Sequence, residues 1–175
     1  MSQKWLELKE KGNAQFKNNN YTGAADYYTR GIQLNPSEPV LYSNRATCMK
    51  LLGKYKEAIN DYNKAIELNP KNTKNLKKLS NVYVILGDFG HAQLLLEKCC
   101  NLETNDSSHV YELNKVKKWL KITKKLMKNI KSKNGKTVKK KVRNYWKVHL
   151  LLLNYKKYIF NNVLNYANSL MLLII

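Results

Sequence analysis

The chain has 175 residues, 43% of them hydrophobic and 25% charged, enough for one packed domain or for a short solenoid followed by a tail. Its formal charge of +20 is unevenly spread: residues 1–112 carry 15 Lys and Arg with all 12 Asp and Glu, a balance of +3, while residues 113–175 carry 17 Lys and Arg and no acid. Three cysteines without a framework spacing argue against a disulfide scaffold. The opening Lys4-Trp5-Leu6-Glu7 lacks the apolar stretch of a secretory leader, so Cys48, Cys99 and Cys100 read as reduced thiols and the chain as cytoplasmic.

The first element is a helix from about Trp5 that ends near Asn18-Asn19-Asn20, where asparagines suit a turn. A second helix starts after Tyr21-Thr22-Gly23. This plan returns at an offset of 34. Ala24, Ala58 and Ala92 share one register, as do Tyr21, Tyr55 and Phe89, Tyr28, Tyr62 and Leu96, and Leu34, Leu68 and Leu102. Small residues recur as Gly31, Ala65 and Cys99, while Pro36 matches Pro70 and Gly53 matches Gly87. A period of 34 has the length of a tetratricopeptide helix–turn–helix unit, in which small positions let helices approach and large ones fill the gaps between neighbours. The expected fold is therefore all-α: a right-handed tetratricopeptide solenoid with repeats at residues 5–38, 39–72 and 73–106. Gly53 and Gly87 mark the internal turns of the second and third repeats, and Asp88 can cap the helix that follows it.

Ser107-Ser108 is expected to cap a seventh helix over residues 107–130. Its stripe of Val110, Leu113, Val116, Trp119, Leu120 and Leu126 would cover the last repeat, with Lys on the other face. From residue 131 the pattern changes. Residues 131–175 read as a tail, first basic through Lys139-Lys140-Lys141-Val142-Arg143, then apolar to Ile175. Lys156, Lys157 and several asparagines interrupt the apolar part, which leaves no run near the ~20 residues a membrane span needs. Such a tail could touch RNA or an anionic membrane surface. The shift to Lys, Asn, Ile, Leu and Tyr is also what a translated A/T-rich non-coding or frame-shifted stretch would give, in which case the chain is a truncated form of a longer protein.

The first helices of such pairs line a concave surface, and five polar residues form a pattern there. Lys9 and Asn13 are four residues apart, hence on one helix face. Asn44 stands on the corresponding helix of the second unit. Lys74 and Lys78, again four apart, stand on that of the third, with Lys78 34 residues after Asn44. In the Lys77-Lys78 run either residue can face the groove. A lone Lys or Asn at a solvated helical position is ordinary surface, and it is the coincidence of five that marks this face.

The strings Leu8-Lys9-Glu10-Lys11-Gly12-Asn13 and Tyr42-Ser43-Asn44-Arg45-Ala46 resemble the carboxylate-clamp tetratricopeptide domains of chaperone adaptors, such as the heat-shock organising protein, the small glutamine-rich tetratricopeptide protein and the tetratricopeptide J-proteins. By matching position, the resemblance implies that Lys9, Asn13, Asn44, Lys74 and Lys78 form the clamp, with lysine at 78 where arginine is commoner in that family. It implies capture of the C-terminal Glu-Glu-Val-Asp of a cytosolic heat-shock chaperone of the 70- or 90-kDa class. Charge-assisted hydrogen bonds worth about 1.5–3 kcal/mol each, less the ordering of a free peptide, give an affinity on the order of micromolar. Phe16, Met49 and Tyr83 are the expected walls of the groove, and a monomer is expected.

The remaining candidates point elsewhere. Tyr27, Tyr28, Tyr42, Tyr55, Tyr62 and Tyr83 fall at repeat-packing positions rather than forming a stacking platform for nucleic acid. His91, His109 and His149 are isolated from one another and from the cysteines at any metal-ligand spacing, so no metal or other cofactor is expected. Neither a nucleophile–base arrangement nor a phosphate loop is present, and the expected role is adaptor rather than enzyme.

Overall fold

The computed structural model describes residues 3–131 and consists there of seven α-helices with no strand: α1 (Lys4–Lys17), α2 (Tyr21–Leu34), α3 (Pro39–Leu51), α4 (Tyr55–Leu68), α5 (Thr73–Ile85), α6 (Phe89–Leu102) and α7 (Ser107–Lys131). Each helix packs on the next in chain order, and α3 also touches α5, so the layers stack as antiparallel pairs in an all-α solenoid. The features expected of residues 132–175 lie outside the described residues.

The same turn is built three times. Asn19, Gly53 and Gly87 each adopt a left-handed backbone, with φ of 60°, 76° and 76°. The amide after each donates back to the carbonyl five residues earlier: Asn20 to Gln15 at 2.9 Å, Lys54 to Met49 at 2.8 Å and Asp88 to Tyr83 at 2.9 Å. This pairing satisfies carbonyls that a helix end would leave open, and it demands a residue tolerant of positive φ, which glycine and asparagine are. Side-chain caps then restart the chain. Asn20 accepts from the Gly23 amide, Asn72 from Asn75 and Asp88 from His91, while Pro39 occupies the first turn of α3.

Three apolar clusters follow the repeat. Tyr28, Leu41 and Cys48 centre the first, Tyr62, Leu79 and Val82 the second, and Phe89, Leu96, Leu113 and Val116 the third. Cys48 and Cys99 are buried, and burial pushes both thiols up to about 11. Tyr28 and Tyr62 are buried in the core, and Tyr27, Tyr42, Tyr55 and Tyr83 are half-buried.

Helix α7 differs from expectation in two respects. Its cap is Asp106, whose Oδ1 accepts from the Ser108 amide at 2.8 Å, rather than Ser107 or Ser108. Its buried stripe begins at His109, which is 2% exposed, whereas Val110 is 45% exposed. The reason is helical period: His109, Leu113, Val116 and Leu120 are spaced four, three and four, which holds one face, while steps of three from Val110 drift around the helix. Phe89 and Trp119 stack at 6.3 Å to fasten the covering helix.

Candidate functional site

The first helices of the pairs, α1, α3 and α5, bring the predicted polar residues into two connected groups. In the first group Asn13 of α1 stands at the centre. Its Oδ1 accepts from the Tyr28 hydroxyl at 2.8 Å and, more loosely, from Asn44 Nδ2 of α3 at 3.4 Å. Its own Nδ2 donates to Glu10 Oε2 at 3.2 Å, and Lys9 Nζ lies 3.3 Å from the other Glu10 oxygen. These hydrogen bonds, from Asn13 and then Lys9, hold the exposed Glu10 carboxyl below its usual range. Tyr28 is buried, and that burial pushes its phenol up to about 12, so it remains a neutral donor.

The second group joins α3 to α5. Ser43, 3% exposed, donates to Asn75 Oδ1 at 2.7 Å and accepts from Lys78 Nζ at 3.2 Å. Lys77, the other member of the run, turns away to donate to Ser108 of α7 at 3.2 Å. Burial lowers the Lys78 pKa, and the positive charges of Lys50 and Lys74 lower it further. Burial alone lowers that of Lys50. Lys74 is exposed. Among the described residues no carboxylate pairs with Lys50, Lys74 or Lys78. Lys78 thus sits half-buried against a fixed hydroxyl and feels the charges of Lys50 and Lys74, with no carboxylate paired to any of the three among the described residues.

The adjacent positions Ser43 and Asn44 tie the two groups together across α3. Lys9, Asn13 and Asn44 belong to the first and Lys74 and Lys78 to the second. Both present N–H donors on rigid helices, an arrangement chemically suited to an anion with more than one carboxylate. The expected wall residues are all half-buried, in packing within and between the pairs. Phe16 meets Tyr21 with ring centroids 5.3 Å apart, Met49 packs against both the first and second clusters, and Tyr83 stacks on His91 of α6 at 4.9 Å.

Sequence reasoning missed four contributors. Glu10 pairs with Lys9 and Asn13, a contact that an acid one turn away on an exposed helix face does not announce. Tyr28 has a ring that the repeat register predicts to be buried, and that register says nothing of where its hydroxyl points. Ser43 is in the same register as Lys9 at an offset of 34, which is the signal that could have found it. Lys50 carries no such signal in a chain so rich in lysine.

Comparison with known proteins finds relatives of this chain in sequence and in fold. The family model for the tetratricopeptide repeat matches residues 39–72. RNA polymerase II-associated protein 3 of Homo sapiens is 38% identical over 115 residues, 66% of this chain and 17% of that protein. The solved first tetratricopeptide domain of Spaghetti (RPAP3), bound to the HSP90 peptide SRMEEVD, is 38% identical with a TM-score of 0.64, covering 69% of this chain and 95% of that one. The second tetratricopeptide domain of the human RPAP3 protein, in complex with the HSP70 peptide SGPTIEEVD, is 32% identical with a TM-score of 0.60, covering 64% and 93%. The chain spans less than a fifth of the length of the curated relatives it matches, 17% and 19% for two of them.

Proposed function

This chain belongs to the tetratricopeptide repeat family, and we propose that it is a co-chaperone adaptor that captures the C-terminal Glu-Glu-Val-Asp peptide of cytosolic heat-shock chaperones. Lys9, Asn13, Asn44, Lys74 and Lys78 clamp the terminal carboxylates, with Lys50 adding positive potential beside Lys78. Residues 5–38, 39–72 and 73–106 are the three repeats and residues 107–130 the cap. Phe16, Met49 and Tyr83 line the walls that meet the apolar residue before the last aspartate. The adaptor acts by recruitment in the cytoplasm and not by catalysis.

The observation that carries this reading is Lys78, bonded to Ser43 next to the Asn44 that reaches Asn13, with the charges of Lys50 and Lys74 acting on it and no carboxylate paired with any of the three among the described residues. Like charges gathered this way cost the free fold stability, a cost that an anionic ligand removes on binding. Related domains solved with peptides ending in the same four residues support the choice of ligand.

The test is a calorimetric titration of the full chain with a peptide ending Glu-Glu-Val-Asp, beside the same peptide amidated at its C-terminus. Affinity on the order of micromolar, lost on amidation, is the expected result. Absence of binding to the free-acid peptide, or equal binding of both, would overturn the proposal.

A further inference from the structure

Away from this groove, the junction where α5, α6 and α7 meet gathers three groups the peptide reading does not use. Glu103 closes α6, Asp106 precedes α7, and His109 lies in the first turn of α7. One carboxylate oxygen of each acid and one ring nitrogen of His109 lie within 4.8 Å of one another. His109 is 2% exposed, and its Nδ1 is a fully buried side-chain atom without a hydrogen-bond partner. That nitrogen faces Asp106 Oδ2 at 3.3 Å, and Nε2 faces Glu103 Oε2 at 3.8 Å.

The outer oxygens are already committed. Thr73 Oγ1, at the start of α5, donates to Glu103 Oε1 at 2.6 Å, and the Ser108 amide donates to Asp106 Oδ1 at 2.8 Å. Each acid is therefore oriented by one oxygen and leaves the other turned to the imidazole. Outer hydrogen bonds of this kind fix the aim of carboxylate and histidine ligands in metal sites.

We propose that Glu103, Asp106 and His109 bind a divalent transition-metal ion of the zinc class, which pins the covering helix α7 to α5 and α6. One imidazole with two carboxylates is a donor set suited to zinc, with three protein ligands and a fourth position left to water. Calcium and magnesium favour an all-oxygen shell with more ligands. The ion gives the buried Nδ1 the partner it lacks. Lys77, whose charge acts on Asp106 while its ammonium bonds Ser108, opposes a dication nearby and weakens the site relative to thiolate-rich ones. The expected dissociation constant is on the order of 10 micromolar.

The test is calorimetric titration of the reduced full chain with zinc chloride, with the thermal midpoint followed in parallel. One equivalent should bind and raise the midpoint, since a ligand of the folded state alone stabilises it. Asp106→Asn and Glu103→Gln keep the oxygens that accept from Ser108 and Thr73, so both should fold. Each should weaken zinc at least tenfold, since loss of even an outer hydrogen-bond partner of a metal ligand costs about 10–100-fold. Cys100→Ser should leave binding unchanged. Absence of saturable binding, full affinity in both acid variants, or loss of binding in Cys100→Ser would overturn the proposal. The first of these outcomes would leave His109 as an imidazole held between two carboxylates.

Discussion

The Tyr28 hydroxyl donates to Asn13 Oδ1 at 2.8 Å, so a residue that fills the first apolar cluster also sets the angle of a polar residue in the groove. Core and site share one side chain. Tyr28→Phe keeps the ring and removes the donor, which should cost about 1 kcal/mol of stability. Peptide affinity should fall about three- to tenfold as Asn13 loses its orientation, a loss of the size one neutral hydrogen bond carries. Gly12→Ala attacks the same contact from behind, because a Cβ there would lie 2.6 Å from Tyr28 Cε1. Displacing a buried ring costs about 1–3 kcal/mol. Thermal melts and peptide titration of both variants check the coupling; unchanged affinity in both would refute it.

Glu10 occupies donors of Asn13 and Lys9 that, in the proposed clamp, a ligand carboxylate would use. It is exposed, bonded to Asn13 Nδ2 at 3.2 Å and paired with Lys9 at 3.3 Å. An exposed pair of this type is worth about 0.2–1 kcal/mol, so the ligand must displace a weak internal competitor. Glu10→Gln should therefore strengthen peptide binding by about two- to fivefold, the same energy range expressed as a ratio, with the gain largest at low salt. Titration at two ionic strengths measures it, and a loss of affinity would show that Glu10 aids binding.

Lys78 should trade stability for binding. Its pKa is lowered by burial first and then by Lys50 and Lys74, so its charged form is disfavoured in the fold. The sign follows directly: between the depressed folded value and the ordinary 10.5, the unfolded chain holds more protons, and stability gained from this group rises with pH across that window. Peptide affinity should fall across the same window as the ammonium is lost. Lys78→Met should remove the effect at all pH values, stabilising the free chain by roughly 0.5–2 kcal/mol, as active-site replacements often do, while weakening the peptide at least about tenfold, the loss of one charge-assisted bond. Lys78→Arg should bind the peptide more tightly than the natural chain because a guanidinium reaches a carboxylate with two donors. Melts and titrations at neutral and alkaline pH separate the two effects.

The solenoid was legible because its signal is redundant: each register position is read three times, and a left-handed turn at Asn19, Gly53 and Gly87 needs residues visible in the sequence itself. The placement of Asn44 and Lys78 on neighbouring helices was legible for the same reason, since 34 residues apart means stacked. What the period cannot carry is the identity of single polar atoms. Ser43 and Asn75 meet at 2.7 Å because α3 and α5 approach there, a contact between small polar residues that no hydrophobic pattern records. Glu103, Asp106 and His109 come together across the loop between α6 and α7, and a search for histidine and cysteine spacings passes over two acids. An apolar pattern selects Val110 over its neighbour His109 because it scores residue type, whereas the helical period that holds Leu113, Val116 and Leu120 on one face puts the imidazole inside.

Arg45 stands next to Asn44 but turns the other way, and its role is structural. Its Nε and Nη2 donate to the two oxygens of Asp61 on α4, each at 2.7 Å, and its Nη1 donates to Thr29 on α2 at 3.1 Å. The Asp61 carboxylate raises the Arg45 pKa, an effect that outweighs the opposing burial. Three helices therefore meet on one guanidinium, with side chains only 21% and 12% exposed for Arg45 and Asp61. Asp61→Asn would keep the shape and leave that charge without its counter-ion, which should cost about 2–4 kcal/mol, near the low end for breaking a buried pair. The double variant Arg45→Met with Asp61→Leu should recover most of the loss, because apolar replacements of a buried pair are often neutral. Peptide affinity measured well below the melting temperature should stay within about twofold in both, an interaction too small to count as a contact energy. A larger change in affinity at full folding would instead assign Arg45 to the groove, and the stability of the double variant would tell whether the pair or the packing around it holds α2, α3 and α4 in place.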